Sequence, residues 1–249
     1  AVYSLAFDAW NPDGKVNQVA TIHNLGKNFA KAYEIEFEKR DGSRGIAYQT
    51  CYGFGFSRVL AAIIAQHGDD RGLVLPPIVA PVQVVIIPIP FKGQEEQIYR
   101  YASKIREALS EKWRTVLDDR EDITPGEKFY HWELMGAPIR VEVGPREVAE
   151  GSATVARRDT LERIKVSFDE LVDKIEELMK AVESNLLERS QRMMMSLISD
   201  AGSIEEVKKI LKERRIARIG WCGDIECAER LKEEAGGEVR GERYDIAET

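Results

Sequence analysis

Four groups of residues in this 249-residue chain have types and spacings that could do chemistry. Gly53-Phe-Gly-Phe-Ser-Arg58 follows an extended run, Tyr48 to Tyr52, and precedes a solid apolar stretch, Val59 to Ala65. Two positions without side chains let a flat ligand such as a nucleotide base approach the backbone closely. Arg58, at the foot of an apolar helix, requires a carboxylate, a phosphate or a flat ring as its partner. A salt-bridged arginine beside a glycine turn meets the same description, because short glycine patterns are common. Gln18, Thr21 and His23 are polar residues near a strand end; Thr21 and His23, two apart, share a face. They are ligand contacts or simply a hydrogen-bonded strand end. Glu133 and Arg140 lie seven apart, one closing a helix and the other on the next strand. A carboxylate accepts from the Watson–Crick N–H groups of guanine and a guanidinium donates to O6 and N7, which is edge readout of bases splayed from an RNA loop. An ordinary helix-to-strand ion pair is the alternative. Cys222 and Cys227 could supply half of a tetrahedral zinc site. No Cys or His follows Cys227, so two reduced thiols are the simpler reading, and no metal is expected in the chain as given.

The elements that must position these groups follow from local pattern. Asn11-Pro-Asp-Gly14 is turn chemistry between Ser4–Ala9 and Lys15–His23, which predicts an antiparallel hairpin. Glu34–Phe37 alternates, and Asp41-Gly42 turns the chain toward Ile46–Tyr52. The apolar helix after the glycine turn ends at Gly68, and Pro76-Pro77 breaks both helix and central strand, which marks a boundary. Val82–Ile89 is a continuous apolar run, as in a strand buried on both faces. Glu95–Lys112 places Ile98, Ala102, Ile105 and Leu109 on one side of a helix. Thr115–Leu117 reads as a short strand, Pro125 as a helix start and Gly136 as its end. Strands at Ile139–Val143, Ala153–Arg157 and Arg163–Val166 complete a mixed, largely parallel-type sheet covered by helices. Residues 167–213 read as helical, with Ser167-Phe-Asp-Glu170 as a capping box and Ser203-Ile-Glu-Glu206 capping a second helix. Met193 to Met195 reads as core or interface filler. Ile216–Trp221 is a strand that delivers Cys222.

Composition bounds the class. With 43% hydrophobic and 32% charged residues, the chain is of globular type and large enough for more than one core. No run of about 18 apolar residues occurs, which leaves no helical membrane span. The three cysteines do not form a disulfide framework, so the expected location is the cytoplasm. A net charge of −7 excludes indiscriminate nucleic-acid binding but not a local basic surface. The chain begins without Met in what reads as the middle of a sheet, as a piece of a longer protein would.

Gly53-Phe-Gly-Phe-Ser-Arg58 resembles the third signature motif of class II aminoacyl-tRNA synthetases, with the generic class II spacing from Gly53 to Arg58. His67-Gly-Asp-Asp-Arg-Gly-Leu-Val-Leu-Pro-Pro77 is similar to the archaeal and eukaryotic prolyl-tRNA synthetases in particular. Gln18 to Phe29, Pro125 to Phe129 and Val143-Gly-Pro-Arg146 resemble the same family, so the similarity covers nearly the whole chain. It implies an α+β and α/β organisation. Residues 1–77 would be the C-terminal part of the antiparallel class II catalytic sheet. Residues 78–184 would be an α/β anticodon-binding domain, and 185–249 a small helical or α+β C-terminal domain related to a zinc-binding one, here incomplete. The resemblance places Gln18, Thr21 and Arg58 against ATP, with Arg58 stacked on adenine, and His23, Cys51 and Gly53 in the proline and adenylate pocket. It places Glu133 and Arg140 where the two guanines of the proline anticodon are read. Arg146, Arg157 and Arg158 form a basic group nearby, either phosphate and base contacts or a solvated rim. The implied activity is activation of proline with ATP and Mg2+ and its transfer to tRNA(Pro), in a homodimer. Motifs 1 and 2 of the class would precede residue 1, which would leave this chain inert by itself. A synthetase-derived tRNA-binding module without activation chemistry is the competing expectation.

Overall fold

A computed structural model describes residues 1–242, in two compact units: residues 1–62 with the described residues from Met194 on, and Ile63–Met193.

In the first unit β1 (Tyr3–Trp10) pairs antiparallel with β2 (Val16–Gly26) through the turn that Asn11 to Gly14 predicts. Gly14 takes φ +81, open to glycine at little cost, and the Asp13 carboxylate accepts from the Lys15 N–H at 3.0 Å. The short helix α1 (Asn28–Ala32) leads to a small hairpin of β3 (Glu36–Glu38) and β4 (Arg44–Ile46). β5 (Gln49–Phe54) then returns to pair antiparallel with β2, giving the order β1-β2-β5, and α2 (Phe56–His67) follows at once.

The second unit is an α/β sandwich. Its elements are β6 (Val84–Pro88), α3 (Glu95–Ser110), β7 (Thr115–Leu117), α4 (Pro125–Met135), β8 (Ile139–Val143), α5 (Pro145–Glu150), β9 (Ser152–Arg157), β10 (Arg163–Ser167) and α6 (Leu171–Leu197). The sheet order is β10-β9-β8-β6-β7. β6 is parallel to both neighbours, whereas β8, β9 and β10 pair antiparallel. The sheet is therefore mixed, and less parallel than the strand-helix alternation suggests. Every residue of β6 is buried: Val84 and Ile86 pack with α3 and α6, while Val85 and Ile87 pack on the opposite face with Phe129 and Trp132 of α4. Ile98, Ala102, Ile105 and Leu109 of α3 are fully buried, as their spacing predicts.

β8 carries the alternation that matters for the site. Ile139, Val141 and Val143 enter the α3 core, so Arg140 and Glu142 fall on the α4 face. Ala156 and Thr154 stand directly across from them on β9, and Arg163 faces Ala156 from β10. The apolar cover on this face packs on β6, and the part of the sheet formed by β8, β9 and β10 is polar there.

Two expectations require correction. Ser167 does not cap α6: its backbone is committed to the β9–β10 ladder opposite Ser152, and the helix starts at Leu171 after a turn. The Ser167 hydroxyl instead donates to the Glu170 carboxylate at 2.6 Å. Nor is 167–213 continuously helical. β11 (Ile198–Asp200) intervenes and pairs parallel with β12 (Ile216–Arg218), which contains the first part of the run expected at 216–221. Between them α7 (Ile204–Lys212) is capped by Ser203 as expected, and α8 (Ile225–Ala235) follows β12. No helix among the described residues is long and apolar enough to cross a membrane.

The segment after α2 is fixed against the end of α4. The Leu73 N–H donates to the Leu134 carbonyl at 3.1 Å. A Cβ at Gly72, which has φ +135, would lie 2.4 Å from the Leu134 Cα. Gly72→Ala is expected to destabilise the second unit by at least ~2 kcal/mol through strain and this overlap, read as a lower midpoint in urea unfolding; an unchanged midpoint would contradict the close approach.

Candidate functional site

The first unit brings one group of the expected residues together on its sheet. The β2–β5 register sets Thr21 opposite Gly53 and His23 opposite Cys51, so these four form two cross-strand pairs on one face. Gly53 leaves that face open, for a Cβ there would meet nothing within 4 Å. Gln18 lies beyond a bulge: Phe7 pairs with Ala20 and Asp8 with Gln18, so Val19 is an additional residue in β2. The inserted residue breaks the alternation, which is how Gln18 and Thr21, three apart, come to share a face. The same bulge anchors the glycine turn, since the Val19 carbonyl accepts from the Gly55 N–H at 2.9 Å. Arg58, in the first turn of α2, is exposed; its Nη1 donates to the Gln18 carbonyl at 3.1 Å, and Asn17 Nδ2 donates to the Arg58 carbonyl at 3.0 Å. Its guanidinium is thus tied at one edge while the side chain stays exposed. His23 Nδ1 lies 2.6 Å from the Ser4 hydroxyl, a bond that orients the ring.

The second unit builds its site around the last turn of α4. Thr124 and Glu127 make a reciprocal capping box with Pro125 in the first turn, and Gly136 closes the helix at φ +75. Glu133 therefore sits at the negative end of the helix dipole, and it is buried. Two arginines compensate it. Arg140 Nη1 donates to Glu133 Oε1 at 3.0 Å, and Arg71 Nη1 donates to Oε2 at 3.0 Å. Burial pushes the Glu133 carboxyl upward, but the hydrogen bonds and charges of Arg140 and Arg71 outweigh it and hold the group below the usual carboxylate range. Arg140 is held in turn by Glu142 at 3.0 Å and lies 4.3 Å over the Phe129 ring. Glu142 is also paired with Arg163. Trp132 donates its indole N–H to Asp118 at 2.8 Å, which leaves the ring as part of the wall.

A cavity of about 250 Å3 opens here. Five arginines (Arg71, Arg140, Arg157, Arg158 and Arg163) line it with Glu133, Trp132, Ala137 and Ala156. Each of the five is paired with a carboxylate, and Arg71 and Arg163 are the two that stay at least half exposed. The alanines leave the floor flat, and the cations and one carboxylate offer both donors and an acceptor to a planar heterocycle.

The five residues expected at or near an anticodon are not equivalent. Glu133 and Arg140 meet as an ion pair in the cavity wall. Arg146 is exposed in the first turn of α5 and is not among the cavity residues. Arg158 is buried, with Nη1 and Nη2 on Asp69 at 2.8 and 2.6 Å and Nε on the Glu133 carbonyl at 3.0 Å. All three groups of its fork are spent inside the protein, so it holds the end of α4 in place rather than presenting itself to a ligand. Arg157 is likewise paired with Asp159. Asp69, Arg71, Glu142 and Arg163 were missed. Glu142 had a sequence signal, a charge at an inward-alternating position of a buried strand. Arg71 is 62 residues from Glu133, beyond any local pattern.

Cys222 and Cys227 are free thiols, and the neighbouring Cys222 raises the Cys227 thiol pKa. Two sulfurs are half of a tetrahedral zinc set, and no group of three or more His, Cys, Asp or Glu able to hold a metal occurs among the described residues. The donors present do not fit a structural zinc ion.

Residues 1–67 match the family model of the tRNA synthetase class II core domain (G, H, P, S and T), and residues 83–178 match that of the anticodon binding domain. The chain belongs to the class II aminoacyl-tRNA synthetases. Within that class it is 44% identical to the proline–tRNA ligase of Ignicoccus hospitalis, over 99% of this chain and 54% of the relative. It is 46% identical to that of Pyrococcus horikoshii, over 98% and 51%, and 44% identical to that of Methanopyrus kandleri, over 100% and 51%. The chain spans about half the length of the curated relatives it matches.

The carboxylates that hold this site give it an acid limit. The hydrogen bond from Arg158 lowers Asp69 to about 2. Asp118, against burial, is lowered to about 2 by Arg120 and Trp132. Their unfolded values lie near ~4, so the stability they contribute is present above that pH and is lost as pH falls through the folded values. Thermal unfolding is expected to show a midpoint that drops between pH 4 and pH 2, with a shallower drop in Asp69→Asn; parallel curves for the two proteins would contradict the assignment.

Proposed function

We propose that this chain is the part of a proline–tRNA ligase that carries the third class II motif and reads the anticodon. The whole protein would activate proline with ATP and transfer it to tRNA(Pro). The observation that carries the reading is the Glu133–Arg140 pair set in an arginine-lined cavity, within the segment that matches the anticodon-binding family. An acceptor and a donor side by side complement guanine, which offers N1–H and N2–H2 on one edge and O6 and N7 on the other. Arg163, more than half exposed, supplies positive potential for an adjoining phosphate, and Trp132 a face on which an unstacked base rests.

In the first unit, Gln18 and Thr21 are the proposed ATP contacts and Arg58 the residue that stacks on adenine. The Arg58 edge bonded to Gln18 orients the plane, and guanidinium-on-ring attraction suits a base. His23, Cys51 and Gly53 would form the proline and adenylate pocket, with Gly53 keeping the space clear. Adenylate formation asks the protein for positioning and charge neutralisation around an in-line attack on the α-phosphate, not for a covalent intermediate. Mg2+, which class II synthetases use in general, neutralises the ATP phosphates when bound. Proline, tRNA(Pro) and a second copy of the whole protein are the proposed partners, the cytoplasm the proposed location. The proposed domain limits are 1–77, 78–184 and 185–249.

Binding of an anticodon stem-loop of tRNA(Pro) to this chain tests the reading. Replacing either anticodon guanine by adenine is expected to cost ~1–3 kcal/mol, and Arg140→Gln is expected to abolish most of that difference. Equal binding of guanine and adenine loops by the wild-type chain would overturn it.

A further inference from the structure

The His67–Pro77 segment enters the site in a way that the anticodon reading does not use. Both oxygens of Glu133 are already taken without RNA, Oε1 by Arg140 and Oε2 by Arg71. The two cations are held very differently. The Arg140 side chain is 15% exposed, bonded to two carboxylates and stacked over Phe129. Arg71 is 50% exposed, and Glu133 is the one acceptor of its guanidinium among the described residues. The backbone beneath it is fixed. Asp69 is clamped by Arg158, the Asp69 carboxylate accepts from the Arg71 N–H at 2.9 Å, and Leu73 is bonded to Leu134. The Arg71 side chain is therefore free to leave while its loop stays.

Guanine's N1–C2–N2 edge is itself a guanidine unit, and it presents two N–H donors with the spacing of an arginine fork. Resting on the reading of this cavity as a guanine site, we propose that Arg71 is an exchangeable counter-ion, which holds Glu133 Oε2 in the free protein and is displaced by the Watson–Crick edge of an incoming guanine. A buried carboxylate at a helix C-terminus is destabilised when one side is unpaired; Arg71 keeps it paired between ligands, while Arg140 holds the other oxygen throughout. Adenine offers an acceptor at N1 and so cannot take the place of the cation. Arg71 then stays, and the wrong base meets a filled position. The exchange lowers guanine affinity by the share of the free protein in which Arg71 is bound, and removal of Arg71 recovers that share.

The test is binding of two stem-loop RNAs, one with adjacent anticodon guanines and one with adenines in their place, to the full chain as wild type, Arg71→Met and Arg71→Lys, with thermal midpoints to show that each variant is folded. Arg71→Met is expected to bind the guanine loop about three- to five-fold more tightly, the size set by a half-exposed ion pair. Its binding of the adenine loop should be unchanged or weaker, because a cation has been lost from a basic surface. Arg71→Lys, with the charge but not the planar fork, should fall between. Equal or weaker binding of the guanine loop by folded Arg71→Met would overturn the inference and show Arg71 to be a structural partner or a phosphate contact. A wild-type chain that does not separate the two loops would overturn the guanine reading itself, and this inference with it.

Discussion

A carboxylate buried in the last turn of a helix is the constraint on which the second unit depends. The helix dipole opposes a negative charge at that end, and burial opposes it again. Burial pushes the Glu133 carboxyl upward, and the two guanidinium groups that reach it outweigh that and hold it below the usual carboxylate range. Removal of the buried partner, Arg140, typically costs ~3–5 kcal/mol, since a charge is left uncompensated, whereas the half-exposed Arg71 contributes far less. The compensation comes from opposite directions: Arg140 from the adjacent strand, and Arg71 from a loop that precedes the whole sheet in sequence. The carboxylate thus ties together parts of the chain that no local element joins.

The surrounding architecture serves the same end. α4 must stop where it does, and Gly136 in a left-handed conformation stops it. The carbonyls freed at that end are taken up by Arg158 and by the Leu73 N–H, so the cap of the helix is also the anchor of the loop. Strict alternation on β8 sends its apolar residues to one core and Arg140 and Glu142 to the other face. Small Ala156, across from Arg140, keeps the cavity floor open.

Most of the scaffold was legible because its signals are periodic or stereochemical. The apolar run of β6, the four core positions of α3, and Pro125 with Gly136 each have one physical meaning and kept it. In the first unit the grouping of Thr21, His23, Cys51 and Gly53 emerges as two cross-strand pairs, which the strand pattern anticipates once register is known. Failures came where a local motif met a competing tertiary claim. Ser167 and Glu170 have the spacing of a capping box, but the β9–β10 ladder holds Ser167 in a strand. Arg158 looked like a free cation in a basic group, whereas Asp69, 89 residues away, consumes it. Arg71 was invisible for the same reason: ion pairs between distant segments leave no spacing to read.

The central claim is that Glu133 accepts from the Watson–Crick edge of a guanine. A double-mutant cycle tests it most directly, with Glu133→Gln on the protein and inosine for each anticodon guanine on the RNA stem-loop, since inosine lacks only the 2-amino donor. The account predicts that at one of the two guanines the substitutions are coupled by ~1–3 kcal/mol, because each removes the same hydrogen bond. Effects at both guanines that add to within about 0.5 kcal/mol would contradict it, for the carboxylate and the amino group would then act independently.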